Sequence, residues 1–439
     1  MPNPLSILYT PKRRKVQPSA RQPAAWAELS RRFGRLPLEA ALEPAARYAE
    51  RGYPLPAALA HFWNRAHGIF GRLNEGGEYA EWFRVFGPSG RAPKAGEMWA
   101  SPDHAATLRE IGRTGAESFY RGELAAKIAG TVGELGGFLT REDLAAYEPE
   151  WVQPISARYR DCEVWEIPPN GQGLVALMAL NILDGFESGD KESVPTLHRQ
   201  LEATKLAFAD GEAYIADARH MRASLGGLLS REYADSRRAL ISDEAALPGP
   251  GTPPSGGTVY LAAADGEGNM VSFIQSNYMG FGSGVVIPGT GIAMQNRGHN
   301  FSMDPNRDNA LAPGKRSYHT IIPGFLTRGG EAVGPFGVMG GFMQPQGHVQ
   351  VVMNTVDFLL NPQAALDSPR WMWESGRTVW VEPDFPNHLA QALARKGHDI
   401  KVAPDKSMFG RGQIIWRDPA SGVLCGGTES RTDGSIAAW

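Results

Sequence analysis

Cysteine is the scarcest feature of the sequence, because Cys162 and Cys425 are the only two cysteines among 439 residues. Two cysteines cannot build a disulfide framework or a four-thiolate metal site. We interpret both as free thiols in a reducing compartment, which makes the cytoplasm the expected location.

An excess of charge of either sign is also missing. The chain has 44 Lys and Arg residues against 47 Asp and Glu residues, for a net charge of −3. Without a basic excess there is no general attraction to nucleic acid, and without an acidic excess there is no sign of a solvating acidic tail. We expect a globular protein with no nucleic-acid partner, built as two or three domains or as one large α/β unit.

Long apolar runs are absent too. The longest, at 174–183, is too short to span a bilayer and is interrupted by Asn181. In the first sixteen residues the positive charges follow the short apolar stretch, which is the reverse of the order in a signal peptide. We expect no membrane partner and no secretion.

Several widespread catalytic motifs are missing. The sequence has no His-Glu-x-x-His, no Gly-x-Gly-x-x-Gly, no phosphate-binding Gly-Lys-Ser/Thr loop and no Gly-x-Ser-x-Gly elbow. Residues 188–191 fit the Ser-x-x-Lys pattern of β-lactamases, but they lie among charges and no Lys-Thr-Gly partner exists. The ten histidines show no metal-ligand spacing, so we expect neither a metal nor another cofactor.

Three stretches of different composition divide the chain. Residues 1–25 contain five prolines, several basic residues and no acid, which predicts a disordered or aberrant arm. Residues 26–257 are rich in helical periodicity and end in the segment 247–257, where eight of eleven residues are Pro or Gly. Residues 258–439 are rich in predicted strands.

Periodicity predicts the individual elements. An apolar run after the loop at 168–173 predicts a helix over 174–186. Alternation predicts a β-hairpin with strands 258–264 and 270–277 around a turn at 265–269. Short apolar runs predict the remaining strands, near residues 292–295, 319–326, 349–353, 378–382 and 412–417.

Thr258 stands where the Pro/Gly-rich segment meets the first strand of this hairpin. A threonine hydroxyl is a poor nucleophile unless a base takes its proton, and the free α-amino group of an N-terminal threonine can do so. Cutting the Gly257–Thr258 bond would create such a residue, and the two glycines before it give the chain freedom to bend that bond. Position and composition alone favour a second interpretation, an ordinary β-branched residue that opens a strand.

The segment 258–272, Thr-Val-Tyr-Leu-Ala-Ala-Ala-Asp-Gly-Glu-Gly-Asn-Met-Val-Ser, resembles the start of the small subunit of γ-glutamyltransferases. In that family a nucleophilic threonine is followed by a strand, an Asp-x-x-Gly-Asn turn and a second strand. The similarity continues in order over residues 26–439, which a lone motif could not do by chance. The matching segments include 35–54, 136–144, 168–173, 174–186, 281–284, 300–302, 313–316, 339–341, 409–413 and 431–434.

The resemblance implies a fold and a maturation step. The family consists of α+β proteins with the four-layer αββα sandwich of N-terminal-nucleophile hydrolases, and its precursors cut themselves just before the nucleophile. For this chain the resemblance implies autocleavage between Gly257 and Thr258. Residues 26–257 would form the large-subunit part and residues 258–439 the small-subunit part, and the two fragments would stay together as a heterodimer in one intertwined domain.

The resemblance also implies catalytic roles. Thr258 Oγ would attack the carbonyl of a small-molecule acyl amide, with its freed amine as general base. Ser276 falls where the family has a threonine that hydrogen-bonds the nucleophile. Gly340 and Gly341 match the glycine pair whose backbone amides bind the negative oxygen of the tetrahedral intermediate. The implied activity is hydrolysis of the amide, or transfer of its acyl group to an amine.

One part of the implied substrate pocket departs from the family motif Asn-Gln-x-x-Asp. Residues 296–300 read Asn-Arg-Gly-His-Asn, so Asn296 is kept and Arg297 replaces the glutamine. Asn300 replaces the carboxylate that holds the α-ammonium of a γ-glutamyl group. A neutral amide loses the charge-assisted hydrogen bond to an ammonium group, whereas an arginine repels that group and favours a carboxylate.

A second part of the implied pocket differs as well. His319 and Thr320 stand where the family has paired serines that hold the α-carboxylate, and Tyr278 is a further residue assigned to substrate binding by the resemblance. These departures predict a pocket that is poor for glutamate and better for an acyl group with an acid but no amine. In this respect the chain resembles the branch of cephalosporin-acylase-like and other amidohydrolase members.

One part of the family pattern has no counterpart. Family chains normally have a long stretch before the segment that matches Trp26, and it contributes core strands, a helix and the arginine that binds the substrate carboxylate. Residues 1–25 do not resemble it. A wrongly assigned start, a truncation by frameshift or replacement by another module would each account for this difference. The alternative function is therefore that of a truncated, non-maturing and inactive homologue.

Overall fold

The computed structural model of the chain describes residues 22–74, 76–247 and 258–439. Gly257, the Pro/Gly-rich residues before it and residues 1–21 of the predicted arm lie outside the described residues.

The chain forms two compact units, each built from two stretches of sequence. The first unit comprises the described residues up to Trp151 together with Asn277–His299. The second comprises those of Val152–Ser276 together with Asn300–Trp439. Each unit thus contains residues from both sides of the predicted scission, whereas the predicted boundaries after residues 25 and 257 stay predictions.

Helices dominate the first unit, which has one short antiparallel ladder. The ladder pairs β1 (Tyr53–Pro54) with β2 (Met98–Trp99). The helices are α1 (Gln22–Phe33), α2 (Leu38–Arg51), α3 (Ala57–Leu73), α4 (Ala80–Phe86), α5 (Pro102–Thr114), α6 (Glu117–Arg121), α7 (Glu123–Glu134) and α8 (Arg141–Ala145).

Asn277–His299 is packed into the helices of the first unit. Gly284 has a φ of +79°, and a Cβ there would approach the Phe70 ring to 2.3 Å, so only glycine allows this close contact. Thr107 Oγ1 donates a hydrogen bond of 2.8 Å to the carbonyl oxygen of Thr290. Val286 belongs to the aromatic core built around Trp63, Trp82 and Trp99.

The second unit contains the remaining elements. Its strands are β3 (Ile155–Tyr159), β4 (Cys162–Glu166), β5 (Val259–Ala264), β6 (Met270–Gln275), β7 (Gly324–Arg328), β8 (Glu331–Met339), β9 (Trp371–Ser375), β10 (Thr378–Val381), β11 (Asp399–Val402), β12 (Arg411–Arg417) and β13 (Leu424–Thr428). Its α-helices are α9 (Gly173–Asp184), α10 (Val194–Tyr214), α11 (Leu225–Leu228), α12 (Arg231–Arg238), α13 (Met343–Val356), α14 (Pro362–Asp367) and α15 (Asn387–Arg395).

An antiparallel sheet of six strands organises this unit, in the order β13-β12-β8-β7-β4-β3. Neighbouring residues of β8 point to opposite faces of the sheet. Val338 faces helix α13, where a Cβ on Gly347 would lie 2.7 Å from its side chain. Gly337 faces the β5–β6 hairpin, where a Cβ would lie 2.5 Å from the Tyr260 ring. Helix α13 and the β5–β6 hairpin therefore cover opposite faces of the sheet. Helix, six-stranded sheet and hairpin correspond to the first three layers of the αββα order. The predicted α+β class is confirmed.

Two strand predictions are wrong. Residues 349–353 lie inside helix α13, whose residues are buried on almost every side. A helix buried on all sides has no solvent-exposed polar face, so its short apolar run cannot be distinguished from a buried strand by periodicity. Residues 292–295 form no strand, and only an isolated bridge joins Val286 to Ala293 there.

The two cysteines are free thiols, Cys162 buried in β4 and Cys425 exposed in β13. Burial raises the pKa of Cys162 to about 11, which keeps this thiol protonated and unreactive at neutral pH. None of the helices in the described part of the chain is long and apolar enough to cross a membrane.

Candidate active site

The register of the β5–β6 hairpin places Thr258 opposite Ser276. Val259 pairs with Gln275 at the open end of the hairpin, so the preceding and following residues face each other. Thr258 Oγ1 donates a hydrogen bond of 2.9 Å to Ser276 Oγ. Paired hydroxyls of this kind are a common cross-strand interaction, and here they fix the direction of the Thr258 side chain.

The turn at the other end of the hairpin sets this register. Asp265 Oδ1 accepts hydrogen bonds from the backbone N–H groups of Glu267 and Asn269, at 3.0 and 2.9 Å. Gly268 has a φ of +90°, a conformation that favours glycine. Since a slip of one residue would turn every side chain to the opposite face, this turn determines that Thr258 meets Ser276.

A small apolar cluster contains residues next to three predicted parts of the site, namely Thr258 with Ser276, the glycine pair and the segment at 319–320. It contains Tyr260 and Ile274, which lie two residues from Thr258 and Ser276 along the hairpin, and Met339, which directly precedes Gly340. Ile321, next to Thr320, packs against the same cluster. The hairpin end, the glycine pair and the segment at 319–320 thus share one packed core.

Tyr260 secures the hairpin from within. Its ring lies against Gly337 of β8, where any side chain would collide with it. Its hydroxyl shares a hydrogen bond of 2.9 Å with Ser272 Oγ. Burial raises the pKa of Tyr260 well above its usual range, so the hydroxyl stays protonated and available for this bond.

Gly340 and Gly341 form the turn between strand β8 and helix α13. Their φ angles are +140° and +62°, which side chains rarely adopt. A Cβ on Gly340 would also lie only 3.1 Å from the Cα of Gly410. The turn leads directly into the N-terminal end of helix α13, which has fourteen residues. The helix macrodipole favours negative charge at this end.

A ring of four buried charges holds the loop that supports Gly340. Arg370 donates to the carbonyl oxygens of Phe409 and Gly410 at 2.9 and 3.2 Å, and to Glu429 at 2.8 Å. Glu429 in turn accepts a hydrogen bond of 2.9 Å from the backbone N–H of Gly412. The four members of the ring are Arg370, Glu382, Glu429 and Arg431. Because two cations and two anions alternate, the ring fixes the loop without net buried charge.

A buried pair supports strand β8 from the helix side. Val338 donates its backbone N–H to His348 Nε2 at 3.2 Å, so this nitrogen carries a lone pair and not a proton. His348 Nδ1 therefore carries the proton and donates it to Glu166 Oε1 at 2.6 Å. No local sequence pattern indicates this pair, because 182 residues separate its two members.

Asn300 acts as a hydrogen-bond donor. Its Nδ2 donates to the carbonyl oxygen of Tyr318 at 3.0 Å, next to the predicted pocket residues His319 and Thr320. An ionised carboxylate has no proton to donate and would face that carbonyl as a second acceptor. The asparagine thus fits the segment at 318–320 in a way that the family's aspartate would not.

Tyr278, Asn296 and Arg297 lie together in the first unit. Tyr278 is fully buried with a φ of +78°, and the guanidinium carbon of Arg297 lies 5.2 Å from the centre of its ring. Asn296 Oδ1 accepts a hydrogen bond of 3.1 Å from the backbone N–H of Met279. The substrate-binding role of these three residues stays a prediction.

One group of potential metal ligands exists among the described residues, and a lysine already occupies it. His198, Glu202 and His398 offer donor atoms within 4.8 Å of one another. Lys205 Nζ donates to Glu202 at 2.7 Å and lies 3.3 Å from His398 Nδ1, which must accept because an ammonium can only donate. His398 Nε2 then donates to His198 Nδ1 at 2.9 Å, and His198 Nε2 donates to the carbonyl oxygen of Ser242. The chain of hydrogen bonds uses both nitrogens of each ring, so the two neutral histidines have no uncommitted ring nitrogen for a metal.

Comparison with known proteins identifies the family. A family model described as Gamma-glutamyltranspeptidase matches residues 21–439, nearly the whole chain. The chain belongs to the gamma-glutamyltranspeptidase family. This confirms the resemblance that starts from residues 258–272 and extends over most of the sequence.

Relatives within this family are hydrolases. The chain is 36% identical over 410 residues to the oxamate amidohydrolase proenzyme of Klebsiella pneumoniae, covering 92% of this chain and 76% of that protein. It is 34% identical over 421 residues to the glutathione hydrolase-like YwrD proenzyme of Bacillus subtilis, covering 94% and 78%. A solved structure, the cephalosporin acylase of Bacillus halodurans, matches with a TM-score of 0.92 and 63% identity, covering 95% of this chain and 77% of that one.

These comparisons define the enzyme class. The chain is an amide hydrolase of the gamma-glutamyltranspeptidase family, and it spans about three quarters of the length of the relatives named above. The structure brings Thr258, Ser276 and the glycine pair into one unit of the chain, with His319, Thr320 and Asn300. The catalytic and binding roles of these residues stay predictions.

Proposed function

We propose that this family member cuts its own Gly257–Thr258 bond and then hydrolyses acyl amides through an acyl-enzyme on Thr258. The observation that carries the proposal is the hydrogen bond of 2.9 Å between Thr258 Oγ1 and Ser276 Oγ. It orients the hydroxyl of the residue that directly follows the bond to be cut. The word proenzyme in the names of both sequence relatives supports the maturation step.

Scission supplies the base that the reaction needs. The nitrogen of Thr258 changes from an amide into a free amine, whose lone pair can take the hydroxyl proton as Oγ1 attacks the substrate carbonyl. The resulting tetrahedral intermediate carries its negative charge on the former carbonyl oxygen. Backbone amides of Gly340 and Gly341 would stabilise this charge, and one such donor typically lowers the barrier by about 3 kcal/mol.

Collapse of the intermediate completes the first half of the reaction. The carbon–nitrogen bond of the substrate breaks, the amine product leaves with the proton held by the Thr258 amine, and the acyl group remains as an ester on Oγ1. Water attacks that ester in the second half, and the acid product departs as the hydroxyl is restored. An acceptor amine in place of water would give acyl transfer.

The substrate that we propose is an amide whose acyl group carries a carboxylate but no α-ammonium. Asn300 supports this choice, because its amide group donates to the Tyr318 carbonyl and offers no negative charge to an ammonium. The sequence change from the family's glutamine to Arg297 agrees with this choice, since a guanidinium favours a carboxylate and repels an ammonium. The names of an oxamate amidohydrolase and a cephalosporin acylase among the relatives agree with acyl groups other than γ-glutamyl.

A denaturing gel of the purified full chain tests the proposal. Maturation predicts two bands of about 28 and 20 kDa, in proportion to the residues before and after the cut in a chain of 47.6 kDa. Thr258→Ala should leave one band, whereas Thr258→Ser, which keeps a nucleophilic hydroxyl at the cut, should still give two. A single band from soluble, folded wild-type protein would favour the alternative of a non-maturing, inactive homologue.

A further inference from the structure

Gln172 connects two parts of the proposed site that lie far apart in sequence. It follows the loop after strand β4, immediately before helix α9, and its side chain is fully buried. Its Nε2 donates to the carbonyl oxygen of Thr320 at 2.7 Å and to that of Gly341 at 2.8 Å. One amide group therefore joins the segment at 319–320, which the family resemblance assigns to substrate binding, to the turn of Gly340 and Gly341. We call this turn the oxyanion turn, after its role in the proposed function.

The loop before Gln172 forms a second set of contacts with the same segment. The backbone N–H of Gln172 donates to the His319 carbonyl at 2.9 Å, and the His319 N–H donates to the Asn170 carbonyl at 2.8 Å. Asn170 Nδ2 also donates to the Ser317 carbonyl at 2.6 Å. The segment 317–320 is thus held along its length by the loop that carries Gln172.

Every hydrogen-bonding group of the Gln172 side chain is used. The two Nε2 protons point to the two carbonyl oxygens, and Oε1 accepts a hydrogen bond of 3.3 Å from the Tyr318 hydroxyl. A glutamate of the same shape would place an acceptor against two carbonyl acceptors. A lysine or arginine would bring an unpaired charge into a fully buried place.

Gly341 needs such external support. It has no Cβ and a φ of +62°, so local sterics leave its carbonyl direction loosely determined. That carbonyl accepts from Gln172 Nε2 at 2.8 Å and from the backbone N–H of Gln344 at 3.2 Å. The two donors together fix the orientation of the peptide that follows the glycine pair.

We propose that Gln172 is a positioning residue for the oxyanion turn, which it holds at a fixed separation from the segment of Thr320. The inference rests on the proposed function, in which the amides of Gly340 and Gly341 bind the developing negative charge. Displacement of a catalytic group by about 1 Å can lower a rate by about a hundredfold. Loss of the Gln172 amide removes the link between the Thr320 and Gly341 carbonyls, so we expect its effect on kcat.

Gln350 provides a matched control in the same unit. It is buried in helix α13, its Nε2 donates to the carbonyls of Gln346 and Trp371 at 3.1 and 3.0 Å, and its Oε1 accepts from the Trp371 N–H at 3.3 Å. It therefore has the hydrogen-bond pattern of Gln172 but joins α13 to strand β9. Substitution of either glutamine removes one side-chain donor from each of two buried carbonyls.

The experiment compares Gln172→Glu and Gln172→Met with Gln350→Glu and Gln350→Met. Each variant is assayed on a glutaryl anilide, with kcat expressed per matured molecule from intact-mass spectra. We expect similar losses of thermal stability at both positions. We expect kcat to fall about a hundredfold at position 172 only, with KM changed less than threefold.

The outcomes separate this inference from the proposed function. If wild-type protein matures and hydrolyses the anilide while Gln172→Met keeps kcat within threefold, the positioning role is wrong and the proposed function stands. Equal losses of kcat at positions 172 and 350 would also overturn the positioning role, and so would failure of only the Gln172 variants to fold. A wild-type protein that matures without any amidase activity would overturn both.

Discussion

Thr258 and Ser276 face each other across the open end of the β5–β6 hairpin, with 2.9 Å between their hydroxyl oxygens. The relationship follows from a register that the Asp265 turn determines at the far end. In the uncut chain the nitrogen of Thr258 is an amide and cannot act as a base. After scission the same, already oriented hydroxyl would lie beside its own free amine.

The first prediction concerns Ser276. Ser276→Ala removes the acceptor of the Thr258 hydroxyl, and a hydrogen bond of this kind contributes about 1 kcal/mol, so we expect kcat to fall by about fivefold. Ser276→Thr keeps the hydroxyl and should keep kcat. Steady-state kinetics of matured enzyme on one amide substrate measure both. A Ser276→Ala enzyme as active as Ser276→Thr would contradict the assigned role.

The second prediction concerns substrate choice. We expect the wild-type enzyme to hydrolyse a glutaryl anilide with a higher kcat/KM than a γ-glutamyl anilide, because Asn300 offers no negative charge to an α-ammonium. Asn300→Asp should not reverse this preference in favour of the γ-glutamyl anilide, since the new carboxylate would face the Tyr318 carbonyl and disturb the segment at 318–320. Parallel assays of both anilides decide the matter, and an equal or reversed preference in the wild type would refute the pocket interpretation.

The third prediction concerns Gly410, which the buried charge ring holds against the turn of Gly340 and Gly341. A Cβ at this position would lie 2.5 Å from the Met339 carbonyl oxygen, and the φ of +74° adds strain. Gly330 has a φ of +84° with open space around it, so its substitution introduces the strain alone, about 1–2 kcal/mol. We expect Gly410→Ala to lower both stability and kcat, whereas Gly330→Ala lowers stability only. Thermal melts and kinetics of both variants provide the comparison, and equal kcat values would argue against support of the turn by Gly410.

The fourth prediction concerns acid sensitivity. Burial, together with the nearby Lys205 ammonium, lowers the pKa of His398 to about 3 from an ordinary value of 6.5. The unfolded chain therefore takes up a proton below pH 6.5 that the folded chain refuses, so stability is lost as the pH falls from about 6.5 towards 3. The loss for one such proton approaches about 1.4 kcal/mol per pH unit.

His398→Gln removes this titration and keeps a neutral side chain. Denaturant unfolding at pH 7, 6 and 5 should show a shallower decline for the variant than for the wild type. Some decline remains in the variant, because burial also lowers the pKa of His198 in the same network. Identical slopes for the two proteins would mean that His398 is not held neutral in the fold.

Local patterns predicted the parts of the fold that depend on local interactions. The hairpin that begins at Val259 follows from alternating residues around a turn with Asp265 and Gly268, and its strands lie within two residues of the predicted bounds. Helix α13 is different, because Met343–Val356 is buried on almost every side and its apolar run at 349–353 suggested a strand. Only packing on the sheet distinguishes the two structures.

The residues of the candidate site likewise fall into those that the sequence indicates and those that only the folded chain brings together. Thr258 stands out by its place after the Pro/Gly-rich segment, and the family resemblance supplied the glycine pair. Gln172 could not be recognised, because its two acceptor carbonyls lie 148 and 169 residues away in sequence. The pair of Glu166 and His348 is hidden for the same reason. Residues that support a site from a distance become visible only when the chain has folded.

Intact-mass spectrometry of the folded wild-type chain, with identification of the first residue of the smaller fragment, shows whether the chain cuts itself before Thr258. We expect two fragments, the smaller one beginning with Thr258 and carrying a free α-amine. A soluble, folded protein in which residues 257 and 258 remain joined, or a cut at any other bond, would contradict it.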